Sequence, residues 1–326
     1  MISRLIGIAV LSAIVACASS GDKSATENTV KASPTAPASA TVLRGEELFT
    51  EGKFAQARSA FEEAIADDPE DKRAWLDMGL VSEQLGDWDA AEQAYRRAIE
   101  IDPNFVQAIN NLGVLVRERG NLVEAATLLE RAVEIDPGLV SAYFNLALTY
   151  EDQGRFGLAE DAYLSAIGLM PNDAISRINL GLMYVGLDKN DKAAEQLNAA
   201  IPLIGSDVAL SIAVGEGLRR AQRPDQAQQV LERALAAAGD SPPLELLAEL
   251  SLVYFATDRI DKSEALMRRA AAQDPRDPAL QYALAAILLK QHKELEAKKH
   301  FQKTIDLAPS GPYAGRARTR LEQLAP

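Results

Sequence analysis

The stretch KRAWLDMGLVSEQLGDWDAAEQAYRRAIEIDPNF, residues 72–105, decides the fold. The next 34 residues, VQAINNLGVLVRERGNLVEAATLLERAVEIDPGL (106–139), restate it with the same residue types at the same places. Pro69, Pro103, Pro137 and Pro171 stand 34 apart. Gly86, Gly120 and Gly154 keep that step, as do Ala91, Ala125 and Ala159, and Ala98, Ala132 and Ala166. A period of this length, made of two helical patterns and a turn, predicts stacked helical hairpins.

Each recurring residue has a physical reason. Gly86, Gly120 and Gly154 supply the positive φ that ends a first helix. Gly79, Gly113 and Gly181 let a neighbouring helix come close. Ala91, Ala125 and Ala159 do the same where the two helices of one hairpin cross. Pro103 and its equivalents cannot continue a helix and so close each repeat. Asp68, Asp102, Asp136 and Asp274 directly precede such a Pro and suit its turn. Apolar residues at helical spacing fill the space between helices.

Composition narrows the function. Hydrophobic residues make up 48% and aromatics only 6%, which fits a helical array with a long continuous core. A formal charge of -13 argues against direct contact with nucleic acid or anionic lipid headgroups. Cys17 is the only cysteine, so an intramolecular disulfide is impossible. The only histidines are His292 and His300, and no Cys or His cluster has metal-ligand spacing. A phosphate-binding glycine loop and a Ser-His-Asp order are both missing. No catalytic residue, cofactor, metal or small-molecule substrate is expected.

Trp75, Met78, Gly79, Gly86, Ala91, Tyr95, Ala98 and Pro103 fall where the tetratricopeptide repeat places its signature residues. Tyr143, Leu146, Ala147, Tyr150, Gly154, Ala159, Tyr163, Ala166 and Pro171 repeat the pattern. The sequence resembles that family over most of its length. The resemblance implies an all-α, right-handed α-solenoid of about eight hairpins, residues 41–311, closed by a capping helix in 312–326. In this register the repeats are 38–71, 72–105, 106–139, 140–173, 174–207, 208–243, 244–277 and 278–311. The fifth and sixth have drifted: Gly205 and Gly239 replace Pro, and Asp188 and Gln222 replace the turn Gly. Pro171 and Pro275 are 104 apart, two more than three periods, and the loop 239–243 takes the extra residues.

The N-terminus reads differently. Residues 1–16, with Arg4 before an apolar run over 5–16, are expected to be an export signal too short to span a bilayer. Ile14, Val15, Ala16 and Cys17 resemble the lipobox of bacterial lipoproteins. That resemblance implies cleavage before Cys17, lipid on its sulfur and a membrane anchor, with Ala18 favouring the outer membrane, facing the periplasm. Residues 17–40 are rich in Ser, Thr, Ala and Pro and are expected to be a disordered tether.

In the tetratricopeptide family the first helix of each repeat lines the concave groove. The sixth position there reads Asp77, Asn111, Asn145 and Asn179, and a side-chain amide can both donate to and accept from a peptide backbone. The ninth position reads Leu80, Val114, Leu148 and Leu182, and the fifth includes Phe144, Ile178 and Ile212. These are either an apolar trough for a partner segment or ordinary core. The basic set of a carboxylate clamp is missing. The expectation is a lipid-anchored scaffold binding a protein or extended peptide, resembling the pilotin lipoproteins of type IV pilus secretins. Alternatives are an adaptor of cell-wall synthases or hydrolases and a subunit of an exopolysaccharide exporter.

Overall fold

The computed structural model describes residues 39–324; Cys17, the signal segment and nearly all of the tether lie outside them. Among the described residues there are seventeen α-helices and no strand. They pair as antiparallel hairpins in chain order: α1 (Ala40–Thr50) with α2 (Phe54–Asp67), α3 (Lys72–Gln84) with α4 (Trp88–Ile101), α5 (Val106–Glu118) with α6 (Leu122–Ile135), and α7 (Val140–Asp152) with α8 (Phe156–Leu169). Then come α9 (Ala174–Gly186) with α10 (Asn190–Ala200), α11 (Val208–Arg220) with α12 (Pro224–Ala238), α13 (Leu244–Ala256) with α14 (Ile260–Gln273), and α15 (Pro278–Lys290) with α16 (Glu294–Leu307). A last helix, α17 (Ala314–Gln323), packs on α16. The hairpins form two compact units, α1–α8 in the part ending at Asn172 and α9–α17 in the part beginning at Asp173. Ser39, at the end of the stretch read as tether, caps α1 by accepting from the Val42 amide, and Ala40 is already helical.

The turn inside every hairpin has one geometry. Gly52, Gly86, Gly120 and Gly154 have φ of 74°, 74°, 83° and 71°. Asp188, Gln222, Asp258 and His292 hold the same place with φ of 56°, 61°, 58° and 61°. The backbone closure is unchanged as well: the Asp87 amide donates to the Ser82 carbonyl at 2.8 Å, and the Arg223 amide to that of Leu218 at 2.8 Å. Asp and His enter the left-handed region more readily than other L-residues, but Gln222 has no such preference and costs about 1–2 kcal/mol there, so the fold imposes the turn at that position. The step from Gln222 to Asp258 is two residues longer than the others, which places the insertion between them. The turns between hairpins follow the Asp-Pro reading: Asp68, Asp102, Asp136 and Asp274 each accept from the amide two residues on, at 2.9–3.0 Å.

Within a hairpin the interlock is a small residue facing a large one 16 positions later. Gly45 faces Phe61, Gly79 faces Tyr95, Gly113 faces Leu129, Gly181 faces Leu197 and Gly215 faces Leu231. All five large side chains are at most 1% exposed. Ala57, Ala91, Ala125, Ala159, Ala193, Ala227 and Ala297 are fully buried at the helix crossings. Ser263 takes that place in α14, where its hydroxyl donates to the Ser251 carbonyl at 2.8 Å. Exposed ion pairs join successive second helices, as where Arg96 meets Glu92 and Glu124, and such pairs contribute ~0–1 kcal/mol each.

Candidate functional site

The N-terminal unit presents the sixth-position residues on α3, α5 and α7. The repeat forces this: positions 34 apart on equivalent helices share a face. Asp77, Asn111 and Asn145 are half-buried there. Asn111 and Asn145 are joined through a residue the sequence reading passed over. Asn145 Nδ2 donates to Asn110 Oδ1 at 3.1 Å, and Asn110 Nδ2 donates to Asn111 Oδ1 at 3.2 Å. Asn110 stands at the fifth position, where the neighbouring repeats carry Leu76 and Phe144, and is 9% exposed. A polar residue at an otherwise apolar repeat position is the signal that marks it. The three amides support one another, which orients the remaining donors and acceptors of Asn111 and Asn145.

Asp77 is set in a different environment. Its Oδ2 is buried without a hydrogen-bond partner. Burial and the neighbouring Glu46 carboxyl push its pKa to about 8, against the pull of Arg73. Arg73 instead binds Glu46, with Nε 2.8 Å from Oε1. Glu83, one turn and a half along α3, is raised to about 7 by burial, with Tyr95 pulling the other way. Tyr95 is fully buried, with its hydroxyl beside Glu83 and Asn111. In the equivalent pair two repeats on, the Tyr163 hydroxyl donates to Glu151 Oε2 at 3.1 Å, and nearby Arg117 Nε donates to Asp152 Oδ2 at 2.8 Å.

The apolar candidates divide between the two units. Leu80, Val114, Leu148 and Phe144 are half-buried in the N-terminal unit. Leu80 packs against the Tyr95 and Leu112 cluster, and the Phe144 ring meets that of Tyr163 edge-on at 6.0 Å. Ile178 and Leu182 were candidates for an open trough. In the C-terminal unit they are packed in the core instead, 3% and 9% exposed, together with Ile212. Asn179 turns back along its own helix, its Nδ2 donating to the Ile175 carbonyl at 2.8 Å. The sequence reading also missed a buried charge cluster in the C-terminal unit. Arg219 Nη2 donates to Glu249 Oε2 at 3.1 Å, and Arg220 reaches Glu216 at 3.4 Å. Burial and the Glu249 charge push Glu216 up to about 7.

Among the described residues no group of three His, Cys, Asp or Glu side chains could hold a metal, and no helix is long and apolar enough to cross a membrane. The His300 imidazole is taken by Gln281, Nδ1 to Oε1 at 2.8 Å. Amides, carboxyls and apolar side chains on a row of first helices can grip a polypeptide.

Eight hairpins of one turn geometry, five of them sharing one glycine interlock, define an all-α helical-repeat protein. Tetratricopeptide-repeat family models match residues 42–105, 115–154, 141–207 and 218–287, together more than half of the chain, and the chain belongs to that family. Proteins of this fold are typically non-catalytic scaffolds for protein–protein interaction. Solved structures share the fold at low identity. PilW, a widely conserved type IV pilus biogenesis factor, is 20% identical with a TM-score of 0.57, covering 65% of this chain and 96% of PilW. A chain of the APC/C hetero-tetramer Cut9-Hcn1 is 16% identical with a TM-score of 0.56; 86% of this chain spans 55% of that one. Yeast Tom70 is 17% identical with a TM-score of 0.54, covering 90% of this chain and 65% of Tom70. A comparison with curated protein sequences finds no match.

Proposed function

We propose that this chain is a membrane-anchored scaffold that holds an extended segment of a protein partner along the first helices of its N-terminal unit. The observation that carries the reading is the amide network of Asn110, Asn111 and Asn145, flanked by half-buried Leu80, Val114, Phe144 and Leu148. Adjacent helices pack ~10 Å apart and an extended chain advances ~3.3 Å per residue, so each repeat meets about every third residue of the guest. A net ~1 kcal/mol per hydrogen bond to its backbone gives affinity without side-chain preference, and the apolar neighbours add selectivity.

The anchor in this reading is lipid on Cys17. Two or more acyl chains, at ~0.8 kcal/mol per buried CH₂, hold a protein stably at a bilayer. The layout of lipobox, tether and repeat array supports a place at the outer membrane facing the periplasm, in the assembly of an envelope complex such as a pilus secretin. Two experiments test the two halves. Fatty-acid labelling marks the wild type and not Cys17→Ser; a labelled variant refutes the anchor. Replacing Asn111 and Asn145 with Ala lowers partner capture at unchanged circular dichroism; unchanged capture refutes the amide reading.

A further inference from the structure

We propose that the open groove between α10 and α12 in the C-terminal unit is a further binding site, which takes a short polypeptide segment carrying an Asp or Glu beside an aliphatic residue. The groove exists because α10 stops early: it has 11 residues where α8 and α14 have 14. Pro202 has no amide proton, and its ring would collide with the Asn198 carbonyl one turn back, so the helix cannot pass it. The chain leaves through a turn in which the Ile201 amide donates to the Asn198 carbonyl at 3.3 Å and the Leu203 amide to that of Ala200 at 2.9 Å. The helical turn missing from α10 uncovers the neighbouring side of α12, and a groove of about 660 Å³ results.

Its lining offers three kinds of contact. Val230 is the floor, with half-buried Ile201 and exposed Ala236 beside it. Asn198, Gln226 and Gln229 supply amides: Asn198 Nδ2 donates to Gln226 Oε1 at 3.3 Å, which leaves the Asn198 oxygen and the Gln226 amide protons for a guest backbone. The charge is Arg233. Arg97, Arg131 and Arg233 share one place in the repeat, and the first two reach back to the turn before their hairpin. Arg97 Nη2 donates to Glu70 Oε1 at 2.6 Å, and Arg131 donates to the Pro103 carbonyl. The turn before α11 is the one rebuilt around Pro202, with Gly205 where Pro103 would stand. Arg233 is exposed at the groove and has no hydrogen bond or ion pair among the described residues. The acidic residue of the lining, Glu232, already accepts from the Tyr254 hydroxyl at 2.7 Å and from Gln228 Nε2 at 2.9 Å. A guanidinium holds a carboxylate through two parallel donors, and such charge-assisted bonds are roughly twice as strong as neutral ones. Arg233 therefore selects the acidic side chain, the amides hold the backbone and the floor takes the aliphatic neighbour.

The test uses the full chain and labelled hexapeptides Ser-Gly-Leu-X-Gly-Ser with Glu, Gln or Lys at X. Both ends are blocked, so the side chain is the sole carboxylate. Fluorescence anisotropy is expected to show the Glu peptide bound about tenfold tighter than the Gln peptide, and the Lys peptide weakest. Arg233→Gln brings the Glu peptide to the level of the Gln peptide. Ala236→Glu, at an exposed helix position, fills the groove with a like charge and abolishes binding at unchanged circular dichroism. Arg269→Gln, an exposed arginine at the same helix position on α14, is the control and leaves affinity unchanged. Hydrogen exchange is expected to show the peptide protecting amides in 198–207 and 226–236. Equal affinity for the Glu and Gln peptides, an Arg233→Gln variant that behaves as wild type, an equal loss in Arg269→Gln, or no binding of any peptide overturns the site. A loss of Glu-peptide binding on replacing Asn111 and Asn145 with Ala puts the peptide on the first helices of the N-terminal unit and overturns it too. None of these results bears against the first-helix reading, which rests on different residues.

Discussion

Replacing Gly79 with Ala probes the glycine interlock that five of the hairpins share. A Cβ at Gly79 falls 2.2 Å from Cε1, 2.5 Å from Cδ1 and 2.7 Å from Cζ of Tyr95. Carbon atoms pack at ~3.5–4.0 Å, so α3 and α4 must part by roughly 1 Å. Tyr95 is 0% exposed and its ring is rigid, so it cannot swing aside. Overpacking of this kind costs about 1–3 kcal/mol. Removing a glycine from a helix interior returns roughly 0.5–1 kcal/mol. The net expectation is a loss of up to about 2.5 kcal/mol, with about 1 as the centre.

Gly113→Ala meets only Leu129, at 2.8 Å from Cγ, and that branched chain can rotate, so the loss there is smaller. A second substitution, Tyr95→Leu, recreates the Gly113 pairing at Gly79. It should recover part of the Gly79→Ala loss in a double-mutant cycle, because residues in contact do not behave additively. Urea unfolding followed by circular dichroism reads the cost, and amide hydrogen exchange in α3 and α4 locates it. Equal stability of Gly79→Ala and wild type, or strict additivity in the cycle, refutes the tight interlock.

Three further outcomes follow from particular residues. Asp77 has a folded pKa of about 8, above the ordinary carboxylate value near 4, so its contribution to stability is full below about pH 4 and is lost as pH rises toward 8. Asp77→Asn, which cannot ionise, should therefore match wild type at pH 4 and exceed it by roughly 2–5 kcal/mol at pH 8 in urea unfolding. Gln222→Gly, at φ 61°, should stabilise the C-terminal unit by about 1 kcal/mol, seen as a higher urea midpoint. Glu249→Ala leaves Arg219 buried without its partner and should cost about 3–5 kcal/mol, whereas replacing Arg219 and Glu249 together by Met and Leu should cost much less.

The fold was legible because it is periodic. Pro103, Gly86, Ala91 and Gly79 each report a local necessity, and repetition every 34 residues turns four weak signals into one strong one. The drifted repeats were legible by position rather than by type. Asp188 tolerates the left-handed turn by type, whereas Gln222 carries no turn signature of its own and takes the conformation of Gly154 because the packed helices on either side impose it. The site was less legible. Position six places Asn111 and Asn145 on one face, but periodicity is blind to a residue that breaks it, and Asn110 breaks it. Ile178 and Leu182 share the repeat positions of Phe144 and Leu148. Their burial differs because it is set by what packs against α9, which the repeat register does not encode. Arg219 and Glu249 lie 30 residues apart, off the 34-residue step, so no repeat comparison pairs them.

The central claim is that the first helices of residues 39–172 hold a partner's extended chain, and site-specific photo-crosslinking in intact cells tests it most directly. A crosslinking amino acid at Val114 or Leu148, on α5 and α7, should join the chain to a protein partner. One at Val123, 76% exposed at the start of α6, should not. Crosslinks formed from Val123 and not from Val114 or Leu148 would contradict the account.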